Sequence, residues 1–275
     1  MVKTKVLIEV TPQSNQFLSP IFVRPKKDGE FRMILNLKKL NEFVPYRHFK
    51  MDTFESTLNL VSKDCFMSTI DIRHAYYSVS IAEEDQRYFR FLWGGKIFQY
   101  TCLPNGYSLA PLLFTKLMKP VYSSLRNAGI LCSGYIDDSL LLAESENECN
   151  HSVQTTVNLV EKLGFMVHPN KSVFQPSKQV TFLGNVIDSS SMTVFLPENK
   201  KAYIADECLR ISKKVKVTIR DLAHVIGLII SSFSAVEYGP LFYRILESSK
   251  VQALREKQAY WDAVSRRYER TKLQA

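Results

Sequence analysis

Gly134-Tyr135-Ile136-Asp137-Asp138-Ser139 is the stretch on which the reading of this chain turns. Two acids stand side by side, with Ile130 and Leu131 before them and Leu140, Leu141 and Leu142 after. In one straight strand, neighbouring side chains point to opposite faces. Adjacent carboxylates that share a site therefore require a turn, and two short apolar runs around Asp-Asp predict a β-hairpin with the acids at its tip. Two carboxylates held together repel, and one is driven to protonate unless a cation lies between them. A divalent metal is the natural cation, and Mg²⁺ prefers a few carboxylates plus substrate phosphates. Asp also favours turns for its own backbone hydrogen bonds, so the stretch alone reads equally well as a surface turn. A third acid has to decide. The candidate is Asp71, at the end of the strand-like run Phe66-Met67-Ser68-Thr69-Ile70-Asp71-Ile72.

Three segments carry a resemblance to a known family. Tyr135-Ile136-Asp137-Asp138 resembles the Tyr-x-Asp-Asp box of reverse transcriptases. Ser68-Thr69-Ile70-Asp71-Ile72-Arg73-His74-Ala75-Tyr76 resembles their first catalytic-aspartate motif. Leu103-Pro104-Asn105-Gly106-Tyr107-Ser108, with Pro111 and Phe114, resembles the Leu-Pro-x-Gly motif that lies between them. All three occur in the family's order, and the resemblance runs from about residue 17 to about 250. The wording is most similar to retroelements of the DIRS type, relatives of the gypsy-type elements.

The bulk properties agree with a globular protein that meets an anionic partner. The chain of 275 residues is 45% apolar and 23% charged, which is ordinary for a folded soluble chain, and its net charge of +9 favours nucleic acid. Five scattered cysteines, none in a Cys-x-x-Cys pair, argue against structural zinc and for reduced thiols in an intracellular compartment. The N-terminal residues have no apolar core of the signal-peptide kind, and the stretch Val225–Val236, interrupted by Ser231, Ser232 and Ser234, is too short to span a bilayer. No membrane partner is expected.

Residues 1–16 carry no motif. Asp28-Gly29 marks a hairpin turn between the strand-like runs 18–23 and 31–37. It resembles the family's fingers hairpin, whose Lys and Arg hold the nucleotide triphosphate; the matches here are Lys26 and Arg32, with Lys27 as a register alternative. A Lys point charge and an Arg fork suit phosphate oxygens. Asn36 and Lys38 stand where many relatives have Asp and Arg, which bears on template contacts rather than on the metal site. Asp52-Thr53-Phe54-Glu55 predicts a capping box and a helix to about Val61, with Phe54, Leu58 and Val61 buried. Over 79–101 the alternation predicts two strands joined at Gly94-Gly95. Arg87, Arg90 and Lys96 among aromatics there suit either a nucleic-acid surface or core packing. Ser108 is a candidate N-cap for a helix that runs to about Asn127 and stops at Gly129, with Pro120 inside it. Ser145-x-x-Glu148 predicts a further helix, with Val153, Val157, Val160 and Leu163 on one face.

By the resemblance, Asp71, Asp137 and Asp138 hold two Mg²⁺ ions, for which Mn²⁺ could substitute, and the Ile72 carbonyl is a further oxygen ligand. Tyr76 is the aromatic gate under the sugar, and Asn105 touches the incoming nucleotide. Lys171 attends the leaving pyrophosphate, in competition with a plain surface lysine. Gly106 and Tyr135 lie against primer and template, and Phe182-Leu183-Gly184 resembles the primer-grip hairpin. His74 has no partner at helical or strand spacing and reads as structural.

These readings give an α+β fold of the right-hand polymerase type, with fingers and a split βαβ palm over 17–188 and a helical thumb over 189–250. The charged tail over 251–275 is expected to precede an RNase H domain. The thumb helices are expected to start at Glu198 and Thr218. Their basic residues (Lys200, Lys201, Arg210, Lys213, Lys214, Lys216, Arg220) would track duplex phosphates or form a solvated face. The expected function is RNA-directed DNA polymerisation on a primed RNA or DNA template from deoxynucleoside triphosphates. RNase H and recombinase domains of the same element are the expected partners. The alternative is a catalytically silent palm that only binds nucleic acid.

Overall fold

The strand that carries Asp71 lies in the middle of the largest sheet. The computed structural model describes residues 1, 4–25, 31–256 and 264–265, with the backbone alone at 32, 242, 264 and 265. The chain divides into two compact units: Met1–Val61 with Cys65–Ser177, and Ser62–Asp64 with Lys178–Ala275.

The first unit runs β1 (Leu7–Val10), β2 (Ile21–Pro25), β3 (Phe31–Leu35), α1 (Lys38–Asn41), α2 (Phe54–Leu58), β4 (Phe66–Arg73) and α3 (Glu83–Gln86). It continues through β5 (Arg90–Trp93), β6 (Lys96–Tyr100), α4 (Ala110–Asn127), β7 (Leu131–Tyr135), β8 (Asp138–Ala143), α5 (Glu146–Lys162), β9 (Met166–Val167) and β10 (Val173–Ser177). The main sheet has the order β10-β4-β8-β7, with β9 paired to the end of β4. Its register sets Ile70 opposite Ser139 and Asp71 opposite Asp138. Alternation then separates the two faces. Ile70, Ile72, Cys132 and Leu141 pack into one core with Phe114, Met118, Val121, Tyr122 and Leu125 of α4 and Val153 and Val160 of α5. Asp71 and Asp138 take the opposite face.

A second core gathers Leu7, Leu35, Leu37, Leu40, Phe89, Phe91 and Tyr100. It lies under the sheet β1-β6-β5, beside the hairpin β2-β3. Thus the segment without a motif contributes β1, which pairs along β6. The β5-β6 hairpin leaves the main sheet for β1.

Several local expectations need correction. Thr53, not Asp52, caps α2, and its box partner is Ser56. The helix ends at Leu58, and its buried residue is Thr57, whose hydroxyl meets Ser133 Oγ at 2.7 Å. Leu109 rather than Ser108 is the N-cap of α4, with no side-chain cap hydrogen bond, and the Ser108 N–H is taken by the Asn41 side chain. Arg90 is buried and donates to Gln99 and Gln16, so it supports the fold and offers nothing to nucleic acid. Leu163 is the exposed C-cap of α5 and not part of its buried stripe. The Ser145–Glu148 capping box is present as predicted, and Gly129, with φ +81°, follows α4 as its stop.

The second unit contains β11 (Gln179–Phe182), β12 (Asn185–Asp188), β13 (Thr193–Phe195), α6 (Glu198–Ser212), β14 (Val217–Thr218), α7 (Ile219–Ile230), α8 (Gly239–Phe242), α9 (Arg244–Glu256) and β15 (Val264–Ser265). Both helix starts fall where expected: α6 follows Pro197, and Thr218 accepts the Asp221 N–H at the start of α7. Leu222, Val225 and Ile226 form the buried stripe of α7. No helix among the described residues is long and apolar enough to cross a membrane.

Candidate active site

The two acids of the opening stretch sit in a two-residue hairpin. Tyr135 pairs with Asp138, so Ile136 and Asp137 form the turn between β7 and β8. Ile136 has φ +56°, a conformation that is a genuine outlier for a β-branched residue. The usual occupant of the first turn position in such a hairpin is glycine. The turn is nevertheless held firmly. Ile136 packs on the main core, and the Ile72 N–H donates to the Asp137 carbonyl at 2.8 Å. One strand turn away, Gly134 lies directly under the Tyr122 ring, where a Cβ would overlap the phenol. The Tyr122 hydroxyl meets Ser139 Oγ at 2.8 Å. These constraints bring Asp137 beside the cross-strand pair Asp71 and Asp138. The three acids of the predicted triad thus lie near one another, Asp71 opposite Asp138 across β4 and β8 and Asp137 in the adjoining turn, close enough to raise the Asp138 pKa.

The triad carries more negative charge than its surroundings neutralise. Directly opposed like charges on neighbouring strands destabilise a sheet. Burial first, then the Asp137 and Asp71 carboxylates, push Asp138 up to about 6. Asp137 is also raised, mainly by burial, with Asp71 adding to it. Lys171 supplies a counter-charge: its Nζ lies 3.2 Å from Asp71 Oδ2. The same loop fixes the Asp71 backbone, because the His168 N–H donates to the Asp71 carbonyl and Ser172 Oγ accepts the Asp71 N–H. Lys171 thus contacts Asp71 while its side chain stays largely exposed.

Among the described residues no group of three His, Cys, Asp or Glu side chains forms a ready metal cage. An open set of carboxylate oxygens with excess negative charge is still what a hard divalent cation needs when waters and substrate phosphates complete its shell. Sulfur and imidazole ligands would point to a different metal, and the triad has neither. The residues fit such an ion without enclosing it.

The other predicted positions divide into those gathered near the triad and those elsewhere. Tyr76 is half-buried, edge-on to Phe114. Its phenol is pushed up to about 12 by burial, with contributions from Asp137 and Tyr135, which places it beside the turn. His74 has φ +58° and stacks on Tyr77, in keeping with a structural role. Asn105 donates to the Tyr77 hydroxyl at 3.1 Å. Gly106 has φ +94°, which its lack of a Cβ permits. The loop that holds Asn105 and Gly106 is clamped by a residue the sequence reading did not single out. Asn41 donates to the Gly106 carbonyl and accepts the Ser108 N–H. Its partners lie 65 and 67 residues away, a separation no local pattern reveals. Lys26 and Lys27 lie outside the described residues. Arg32 lies on β3 opposite Arg24.

In the second unit, Phe182-Leu183-Gly184-Asn185 forms the predicted hairpin, with Leu183 at φ +47° and Gly184 at φ +75°. Two positive values define the tight turn that favours Asn-Gly. Lys200, expected among the phosphate-tracking residues, has another task. Its Nζ donates to the Gly184 carbonyl at 3.2 Å and to the Ser231 carbonyl at 2.9 Å, and partial burial lowers its pKa. Lys201 pairs with Glu198, Arg210 with Glu207 and Asp221, and Lys214 with Asp221. Lys213 and Lys216 are exposed.

Residues 24–187, more than half of the chain, match the family model described as reverse transcriptase (RNA-dependent DNA polymerase). The Tf2-3 and Tf2-4 transposon polyproteins of Schizosaccharomyces pombe are each 25% identical over 174 residues, 63% of this chain. The chain spans 13% of the length of these relatives. A foamy viral protease-reverse transcriptase in complex with double-stranded DNA is similar with a TM-score of 0.77 at 25% identity, over 98% of this chain and 44% of that one. The foamy viral enzyme in complex with an RNA/DNA hybrid gives 0.71 at 25% identity, over 91% and 32%. The fold is that of the right-hand polymerases, α+β with a palm built on the β4-β8-β7 sheet. The chain belongs to the reverse transcriptase family.

Proposed function

We propose that this chain catalyses RNA-directed DNA synthesis, adding deoxynucleotides to a primer 3′-hydroxyl on an RNA or DNA template. The observation that carries the reading is the cross-strand pair Asp71–Asp138 with Asp137 at the turn beside it. Asp71, Asp137 and Asp138 would hold the divalent ions, with the Ile72 carbonyl as a further oxygen donor. Mg²⁺ (or Mn²⁺) held there would supply Lewis-acid chemistry, a lowered pKa for the attacking hydroxyl and neutralising charge for the departing pyrophosphate.

The remaining work falls to the chain's own groups. Tyr76 places a fixed ring next to the triad, suited to exclude a ribose 2′-hydroxyl. Asn105 and Gly106, clamped by Asn41, offer side chain and backbone to the nucleotide and template, and Tyr135 faces the primer terminus. Lys171, whose Nζ lies 3.2 Å from Asp71 Oδ2, would supply positive charge for the triphosphate and the leaving pyrophosphate. Lys26 and Arg32 would bind the triphosphate itself, and Phe182-Leu183-Gly184 the primer end. Fingers and palm over 17–188 and a thumb over 189–250 are the division this reading assigns. The DIRS-type kinship, the RNase H and recombinase partners and an intracellular place of work rest on motif wording and on five scattered cysteines that form no disulfide.

The test is primer extension on an oligo(dT)-primed RNA template with Mg²⁺, with Asp137→Asn alongside. Extension by the wild type and a loss of about 10³-fold or more in the variant is the expected result, the scale of removing a group that acts at the reacting centre. Equal extension by both would overturn the assignment. Tight primer–template binding without extension by either would favour the silent palm.

A further inference from the structure

A cavity of about 110 Å³ lies along the outer edge of β7, beside the hairpin but on the α4 side. Its wall includes Gly134 and Ile136 of the hairpin, and its other lining residues include Lys50, Asp52, Thr115, Lys119 and Arg126. Thr115, Lys119 and Arg126 are spaced four and seven apart on α4, which places them along one helix face. The catalytic carboxylates occupy the opposite face of the sheet, so none of these groups serves the triad.

Charge and hydrogen bonding in this cavity do not balance. Asp52 is the single acid among its lining residues, and it is already engaged by Arg126 at 3.6 Å, with Gly134 N–H and Ser133 Oγ nearby. Lys50 and Lys119 have no acidic partner among the described residues. The Thr115 hydroxyl is buried and has no hydrogen-bond partner among them, although a mid-helix threonine can ordinarily bond back to its own helix. Two surplus positive charges, an unsatisfied hydroxyl and a small, partly open cavity therefore lie together. At about 30 Å³ per water, the space holds roughly three or four waters. That suits a single tetrahedral oxyanion.

We propose that this cavity is a binding site for a phosphate-type oxyanion, held by Lys50, Lys119 and the Thr115 hydroxyl. Because Gly134 and Ile136 form part of its wall, occupancy braces the strand and turn that present Asp137. The phosphate could be a free ion, such as inorganic phosphate or pyrophosphate, or a backbone phosphate of bound nucleic acid. Only the second source rests on the function proposed above.

The experiment uses the full chain, metal-free, at constant ionic strength. Inorganic phosphate is titrated by calorimetry and by thermal shift into the wild type, the Lys50→Gln/Lys119→Gln double variant and Lys116→Gln as a control off the cavity. Both cavity lysines are exposed, and the melting temperature of the unliganded variant checks its fold. In parallel, primer–template affinity is measured across a salt series. A fall of tenfold or more in phosphate affinity in the double variant alone, with an unchanged salt slope, identifies a free oxyanion. A slope reduced by about 0.9 for each lost contact identifies a backbone phosphate. Unchanged phosphate affinity together with an unchanged slope overturns the proposal. The phosphate titration reads out even if no primer–template binds, so failure of the polymerase reading is seen separately.

Discussion

The two tight hairpin turns, Tyr135-Ile136-Asp137-Asp138 in one unit and Phe182-Leu183-Gly184-Asn185 in the other, place a large aliphatic residue at positive φ in the same first turn position. Each such conformation costs on the order of 1–3 kcal/mol. The turns offset that cost by different means. The first is held by packing: Ile136 lies on the main core, Tyr122 lies on Gly134, and one backbone hydrogen bond ties the turn to β4. The second is held by polar tethers. Lys200 reaches the Gly184 carbonyl, the Asn185 side chain reaches the Leu183 carbonyl, and Ser234 Oγ donates to Asn185. Packing fixes a turn to within a fraction of an ångström because cores are close-packed and have little slack. Polar tethers at a partly exposed site can exchange with water. The difference matches the tasks proposed for the two turns: one must aim carboxylates, the other must follow a primer terminus.

The most severe way to break the packed turn is Gly134→Ala. The added methyl overlaps the Tyr122 phenol, and overpacking of this kind costs about 3 kcal/mol or more when ring and strand are both fixed. A melting curve should show a drop of several degrees, and a second change, Tyr122→Leu, should restore much of it. A normal melting temperature for Gly134→Ala would show that the contact is slack. Lys200→Met tests the tethered turn. It leaves two carbonyls without their charged donor and should cost about 1–2 kcal/mol in the second unit. Extension should fall mainly through kcat. The salt slope of primer–template binding should stay unchanged, because Lys200 points at carbonyls. Lys213→Gln and Lys216→Gln should do the reverse and lower the slope. A reduced slope for Lys200→Met would return it to the phosphate-tracking set.

Asn at the two aliphatic positions sharpens the contrast further. Leu183→Asn creates the Asn-Gly pair that this turn prefers, so stability should hold or rise by up to about 1 kcal/mol. Ile136→Asn relieves backbone strain but removes a side chain from the core, and the net loss should be about 1–2 kcal/mol. Chemical denaturation of the two variants in parallel reads the difference. Equal responses would mean that the turns are held alike.

What the sequence reveals about these two regions follows the reach of each interaction. The acids, the flanking apolar runs and the turn are local, so the hairpin was legible from Ile130–Leu142, while its place in a palm came only from the resemblance of three segments in order. Asp71 was legible from its place at the end of a strand-like run and from the motif that 68–76 resembles; that Ile70 and Ile72 take the core face and leave the acid on the other is visible only in the fold. The strain at Ile136 was not legible, since no propensity rule places a β-branched residue at positive φ; tertiary packing decides it. Asn41 and Lys200 escaped for the same reason. Each looks like an ordinary polar or basic residue until a loop or turn distant in sequence is folded against it. Arg90 stood open between two readings, since a basic residue among aromatics suits nucleic acid or core packing, and burial beside Gln99 and Gln16 decides for the core.

The smallest expected effect concerns the charge that the packed turn keeps in place. Asp138 is raised from an ordinary value of 3.8 to about 6 by burial and by Asp137 and Asp71. An acid whose pKa is higher in the folded state binds more protons there than in the unfolded chain. Stability therefore falls as pH rises through the interval from about 4 to about 6, and above it the whole penalty is present. Solvent screens the penalty at this half-buried position, which leaves it at about 1 kcal/mol. Asp138→Asn removes it, so the metal-free variant should melt a few degrees above the wild type at pH 7. The gain should shrink toward zero as the pH is lowered to 4. Millimolar Mg²⁺ should reverse the ranking, because a cation stabilises the wild type by binding its folded form and finds one carboxylate fewer in the variant. A variant that melts with the wild type at both pH values, with and without Mg²⁺, would show that Asp138 feels neither its neighbours nor a cation. The triad would then be three separate side chains rather than one charged site.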